Sequence, residues 1–245
     1  MVKNKGGAFR RQGQKRRIAV RGARAVVARH RKTLESKIAG IILAKRPRPV
    51  VVTIDGGVSS GKTDFAKRLA RELGRNSIKC VVIGVDDYVI PRAARKKLGA
   101  GYFDFRNWFR LDVLSKNLGQ IRSGKTMVEK PSYSHKTGTD KGFRRLRIPV
   151  NAVVIVPGIF TLDERVRKFS DLKILLDAAP EEREKRALRR DLERSGIPEK
   201  ETLRRLAEVF EPTYRRHIKE NAGFADLVID NTDFTTPLLK RNLKN

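Results

Sequence analysis

Gly56-Gly57-Val58-Ser59-Ser60-Gly61-Lys62-Thr63 is the stretch of this 245-residue chain whose reading decides the fold. It has the spacing G-x-x-x-x-G-K-[ST], with glycines, a lysine and a hydroxyl at fixed offsets. Before it stands Val50–Ile54, a β-branched run of the kind buried on both faces of a sheet. After it, Thr63–Leu73 has helical spacing and is closed by Gly74, which suits a C-terminal cap. In a strand, glycine loop and helix in that order, successive backbone N–H groups and a helix N-terminus face a polyphosphate. Gly56, Gly57, Val58, Ser59, Ser60, Gly61, Lys62 and Thr63 are therefore expected to hold ATP. Lys62 would reach the β- and γ-phosphates, and the Thr63 hydroxyl would hold Mg²⁺.

Outward from the loop, the pattern predicts further strands at Lys79–Val85, Ala152–Val156, Leu172–Leu176 and Leu227–Ile229. Helical segments are expected at Trp108–Arg122, Pro180–Ser195, Lys200–Asn221 and Pro237–Lys244, with Pro212 kinking or dividing the third. Strands alternating with helices imply an α/β, three-layer P-loop NTPase fold. Its sheet should be mostly parallel, of about five strands, with helices on both faces.

Charge divides the chain. There are 56 Lys and Arg against 27 Asp and Glu, and residues 1–50 hold 16 of the bases with one acid, Glu35. Residues 1–46 are read as a basic N-terminal extension, disordered over Met1–Gly22 and helical over Ala23–Ala44, and residues 47–245 as the catalytic domain. Arg46-Pro47-Arg48-Pro49 reads as an extended connector. A field of this sign attracts polyanions, so nucleic acid is a candidate partner for the extension. The extension lacks regular aromatic interleaving, so any contact should be phosphate-driven. No apolar run approaches the roughly 20 residues that span a bilayer. The single cysteine, Cys80, excludes an internal disulfide and fits a reducing compartment, so a soluble, cytoplasmic protein is expected. Nothing in the sequence sets the oligomeric state.

A phosphate loop serves GTPases, motor ATPases and small kinases alike. No N-K-x-D motif is present, and the chain is short for a ring ATPase with its helical lid. A small kinase needs a carboxylate after the second strand, to take the acceptor hydroxyl's proton and help hold Mg²⁺. Asp86-Asp87 stand there.

From about Val50 to Asp233 the sequence resembles the uridine kinase branch of the uridine kinase, phosphoribulokinase and pantothenate kinase group. The resemblance rests on TIDGGVSSGKT (53–63), VDDYV (85–89), YFDF (102–105), EKPSYSHKTG (129–138), VVIVPGIF (153–160), DERVRKFSDLKILLD (163–177) and REKRALRRD (183–191), in that order. It implies ATP-dependent transfer of the γ-phosphoryl group to a hydroxyl of a small, nucleoside-like molecule. Residue by residue, it implies Asp86 as general base and Mg²⁺ partner, and Asp104 and Tyr133 as acceptor contacts. Arg183, Arg186 and Arg190 match an arginine-bearing lid helix. Asp230-Asn231 would lie near the adenine.

The sequence departs from the family at several places. Where the third core strand usually ends in Glu-Gly, this chain has Pro157-Gly158, leaving Thr63, Asp86 and Asp87 with phosphate and water around the ion. Phe105-Arg106-Asn107 stands for the usual His-Pro-Asp, Ala187 replaces a lid arginine, and Ile197 follows Gly196 where a basic residue is expected. His135 lies two residues past Tyr133 and reads as a surface histidine. The aromatic group Tyr102, Phe103, Phe105, Trp108 and Phe109 reads as packing for a loop. Two other readings remain open: a kinase acting on an RNA 5′-hydroxyl or while bound to RNA, and a non-catalytic ATP-binding module.

Overall fold

The computed structural model describes residues 33–45 and 49–241. The expected disorder of Met1–Gly22, the first part of the Ala23–Ala44 helix and most of the Arg46–Pro49 connector lie outside the described residues.

In chain order the elements are α1 (Leu34–Ala44), β1 (Val50–Asp55), α2 (Lys62–Arg75), β2 (Cys80–Val82), α3 (Arg92–Lys96), α4 (Leu111–Arg122), β3 (Met127–Ser134), β4 (Thr139–Arg147), β5 (Val153–Pro157), α5 (Glu164–Arg167), β6 (Leu172–Asp177), α6 (Pro180–Ser195), α7 (Glu199–Arg205), β7 (Leu227–Asp230) and β8 (Leu238–Arg241). The main sheet has the order β2-β5-β1-β6-β7-β8, and β3 and β4 form a separate hairpin. The first five of those strands run parallel, and β8 adds an antiparallel edge.

Strand periodicity builds two cores, one on each face of the sheet. Val50, Val52 and Ile54 of β1, with Val153 and Ile155 of β5, pack toward α1 and α2, whose Ile38, Ile42, Phe65, Leu69 and Leu73 are buried. The alternate residues Val51, Val154 and Val156 face the other way, onto α4 and the aromatic segment 102–109. Each fully buried Leu, Ile or Phe contributes on the order of 1.5–3 kcal/mol, so both layers are needed to hold a sheet buried on two sides. Helix α1 belongs to this body: its Ile38, Ala39 and Ile42 are buried, and Glu35 accepts from Arg68 of α2 at 2.7 Å. The compact unit thus begins at Leu34.

Several expectations are corrected. Pro237–Lys244, read as helical, instead carries β8, because pairing with β7 and the Lys240–Asp230 ion pair at 2.6 Å override a weak local preference. The second strand is shorter than Lys79–Val85, and residues Val85–Tyr88 close into a 3-10 turn. The helix expected from Trp108 begins at Leu111, after a 3-10 turn over Phe105–Trp108 that Asp104 caps through the Arg106 N–H at 3.0 Å. The segment holding Pro212 is divided, as expected, although it stays helical to residue 224: after α7 come π-type turns at Leu206–Phe210 and Tyr214–Lys219, one on each side of the short α-helical piece Glu211–Thr213 that contains the proline. A widened turn accommodates a residue that lacks an N–H donor.

Candidate active site

The loop Gly56–Gly61 leaves the C-terminal end of β1 and feeds the N-terminus of α2, a 14-residue helix whose partial positive charge points back at the loop. Gly61 has φ +95°, and a Cβ there would lie 2.5 Å from Asn231 Nδ2, so only glycine fits. Beside the loop is a cavity of about 940 Å³. Ser59, Lys62, Thr63, Asp86, Arg186 and Arg190 all line it, as do Val58 and Gly61. Gly56, Gly57 and Ser60 are buried beneath.

Lys62 Nζ donates to Gly56 O at 2.9 Å and to Gly57 O at 2.7 Å, folded back on its own loop. Burial pulls its ammonium down to about 8, against the opposing pull of Asp55 and Asp86. The two adjacent aspartates take different roles. Asp87 is bound by Lys130 of β3, a lysine only 1% exposed. Asp86 is exposed to the cavity and accepts no hydrogen bond among the described residues. Gly158, after β5, lets this turn approach: a Cβ there would sit 2.2 Å from Val85 Cβ.

Helix α6 carries the three arginines, and the structure separates them. Arg186 Nη2 donates to the carbonyls of Asn231 at 3.0 Å and Thr232 at 2.6 Å, and its guanidinium lies 5.1 Å over the Phe234 ring. Arg190 binds the buried Asp191 at 2.7 Å. Arg183 does not join them at the cavity. It is 3% exposed, pairs with Glu211 at 2.8 Å, donates to Ala178 O at 3.2 Å and stacks 4.4 Å over Tyr214. Its Nη1 nonetheless lies against the phosphate loop, 2.5 Å from where a Cβ on Gly57 would stand.

The residues expected to contact an acceptor are also engaged. Asp104 lies 3.1 Å, by either oxygen, from His217 Nε2 of the segment after Pro212. Tyr133 accepts from Arg95 at 2.6 Å, and that guanidinium lies 4.8 Å over Trp108. Neither Asp104 nor Tyr133 lines the phosphate-loop cavity. His135 is exposed, and Phe105 packs edge-on against Trp108 and Phe109, as a loop-packing cluster should.

The site fits a nucleotide on its own chemistry. Among the described residues, buried Ser59 Oγ, Ser60 Oγ, Asn231 Oδ1 and Arg186 Nη1 have no hydrogen-bond partner, and all lie on or against the loop. Unpaired buried polar atoms are costly, and polyphosphate oxygens with a base and ribose are groups that satisfy them. Among the described residues no cluster of three or more His, Cys, Asp or Glu could hold a metal ion by protein alone. A magnesium ion held by Thr63, Asp86, phosphate and water needs no such cluster.

Asn231, expected near the adenine, donates through its amide to Ser60 O at 2.7 Å and so braces the loop itself. Three further residues, Phe234, His217 and Asp55, were not singled out in the sequence. Phe234 and His217 carry no local signal. Asp55 did carry one, a carboxylate closing a β-branched run.

A sequence profile of the phosphoribulokinase/uridine kinase family matches residues 51–236. The uridine kinase of Listeria innocua is 30% identical over 186 residues, covering 74% of this chain and 87% of that protein. The inorganic pyrophosphatase TTM2 of Arabidopsis thaliana is 28% identical over 193 residues, 77% of this chain, but the chain spans only 27% of that protein's length. A solved structure titled as a "possible uridine kinase" from Bacillus stearothermophilus superposes with a TM-score of 0.62 at 20% identity, covering 79% of this chain and 96% of that one, a likeness of fold. With its phosphate loop, its carboxylate turn and the profile spanning most of its length, the chain belongs to the phosphoribulokinase/uridine kinase family, on its uridine kinase-like branch, and is an ATP-dependent phosphotransferase acting on a hydroxyl group.

Proposed function

We propose that the acceptor is a nucleoside-like molecule and that transfer is in line, with ATP lying along the loop Gly56–Thr63. The observation that supports this most is the convergence of Lys62, Thr63, Asp86, Arg186 and Arg190 on one cavity. In this reading Lys62 leaves its carbonyls for the β- and γ-phosphates, and Asp86 takes the proton of the acceptor hydroxyl as the oxygen attacks. Thr63 and Asp86 would hold Mg²⁺, which when bound neutralises charge on the phosphates. Arg186 and Arg190 close over the transferring group and exclude water. Asp104 and Tyr133 orient the acceptor, and a sugar hydroxyl reaching Asp104 shares that carboxylate with His217.

The test is an ATP-consumption screen over uridine, cytidine, free sugars, pantothenate, glycerate and an RNA 5′-hydroxyl. Nucleosides should turn over fastest, and the Asp86→Ala variant should lose about 10²–10⁴-fold in kcat. Turnover of another class alone would reject the nucleoside, and full activity of the variant would reject the base. Residues 1–32 of the basic extension, which lie outside the described residues, are proposed to add salt-sensitive polyanion binding. Deleting residues 1–32 should abolish retention on immobilised RNA and leave turnover unchanged.

A further inference from the structure

Asp55 is a buried acidic residue that the mechanism leaves unused, 1% exposed at the C-terminal end of β1. Backbone N–H groups surround it. Oδ1 accepts from Gly56 at 2.7 Å and Phe160 at 3.1 Å, and Oδ2 accepts from Leu162 at 2.7 Å. The first is the opening residue of the phosphate loop. The other two belong to the segment that follows β5, directly after Pro157-Gly158. Lys62 is the charged side chain facing this carboxylate.

Phe160, one of the residues so held, has φ +66°. A bulky side chain in the left-handed region persists only where its surroundings impose it, and such residues cluster at functional sites. Its ring lies 5.7 Å from Phe109, 6.2 Å from Phe105 and 6.0 Å, edge-on, from His217. His217 in turn holds Asp104. A continuous line of contacts therefore runs from the first glycine of the phosphate loop, through one buried carboxylate and one strained phenylalanine, to the carboxylate proposed to orient the acceptor.

We infer that Asp55 is a positioning residue, a strut that fixes the phosphate loop relative to the acceptor side by holding Phe160 in its left-handed conformation. It stands on the strand beside the one that ends in Pro157, the position where the family resemblance led us to expect a glutamate. It does not replace that glutamate as a metal ligand, because three N–H groups already take its two oxygens. The inference rests on the kinase reading for its rate effects but not for its structural ones.

Asn at position 55 keeps the size, but its amide nitrogen must face an N–H donor. With uridine as acceptor, the Asp55→Asn variant should lose about a hundredfold in kcat, as expected when reacting groups are misplaced by a fraction of their contact distance. Its dissociation constant for ATP should stay within about threefold, since the loop itself remains. Half-saturating Mg²⁺ should stay within about twofold, and a rise of about tenfold would make Asp55 a metal ligand and overturn the strut. The Phe160→Gly change removes both the strain and the ring. If the strut acts through Phe160, the double variant is no slower than the slower single, and losses that multiply overturn it.

Should Asp55→Asn fail to fold, amide hydrogen exchange on the unaltered protein decides. A non-hydrolysable ATP analogue should slow exchange at Phe160 and Leu162 by about tenfold or more, and unchanged exchange in the ATP-bound protein overturns the coupling. Absence of turnover in the unaltered protein would count against the kinase reading alone, because binding and exchange are measured without an acceptor.

Discussion

The two halves of the site are built in different ways. On the phosphate side, Lys62, Thr63 and the loop amides come from eight consecutive residues, and Ser59, Ser60 and Asn231 keep buried polar atoms unspent. On the acceptor side, Asp104 is bound by a residue 113 positions away and Tyr133 by one 38 positions away. Phosphate recognition is thus a property of a short backbone conformation, whereas recognition by the proposed acceptor residues would depend on which distant elements the fold brings together. A polyphosphate is a strong, invariant ligand that backbone dipoles can hold, and an acceptor must be told apart by side chains.

The sharpest test of this contrast is to remove a local residue. Lys62→Ala should cost about a thousandfold or more in kcat, because a cation aimed at developing charge has no neighbour that can replace it. Arg190, another cation lining the cavity, is already paired with Asp191. A loss below about tenfold would mean that the phosphate side shares its work among distant residues, as the acceptor side does.

On the acceptor side the expected effect is smaller. Asp104→Asn removes a charged acceptor of hydrogen bonds, each worth about 1.5–3 kcal/mol, so kcat/KM for the acceptor should fall by roughly 10- to 150-fold. KM for ATP should not change. If it rises in step, the two halves are not separate, and Asp104 acts on the phosphate side through Phe160.

The contrast also explains what could be read in advance. The strands of the parallel sheet follow from β-branched runs whose alternate residues feed two cores, so β1, β5 and β6 appear within a residue or two of their expected bounds. The hairpin was not visible, because β4 is exposed along nearly its whole length and its charges leave no alternation to detect. The lid arginines were legible as one face of α6, but face-sharing cannot show that Glu211, 28 residues on, pairs with Arg183. The same holds for Asp87, whose partner Lys130 is 43 residues away. Local chemistry is encoded locally, and pairings made by the fold are not.

A pH profile separates binding from transfer at the same lysine. Lys62 has its ammonium lowered to about 8, with burial the largest cause. The charged form is the active one, so it is lost as pH rises through that value, and kcat/KM for ATP should fall about fivefold between pH 8 and pH 9. With ATP bound, the phosphate charges favour the ammonium, so the alkaline limb of kcat should lie higher. Coincident limbs would place the titrating group elsewhere.

Among the substitutions, the smallest expected effect comes from the residue that least fits the contrast. Arg186 stands on the phosphate side, yet it is fixed by bonds to residues 45 and 46 positions away, the Asn231 and Thr232 carbonyls. One nitrogen, Nη1, remains unpaired beside the loop, and the plane of the guanidinium rests on Phe234. A lysine in its place keeps the charge and can reach the same two carbonyls, both bound by the single nitrogen Nη2, but loses Nη1 and most of the stacking. The cation–π contact is worth about 0.5–1 kcal/mol and a hydrogen bond from Nη1 about as much, so Arg186→Lys should raise KM for ATP by roughly 5- to 30-fold. Because the charge near the transferring phosphate survives, kcat should move less than KM. If kcat instead falls as far as it does in Lys62→Ala, the arginine acts through its exact placement. Long-range anchoring would then decide the chemistry on the phosphate side too.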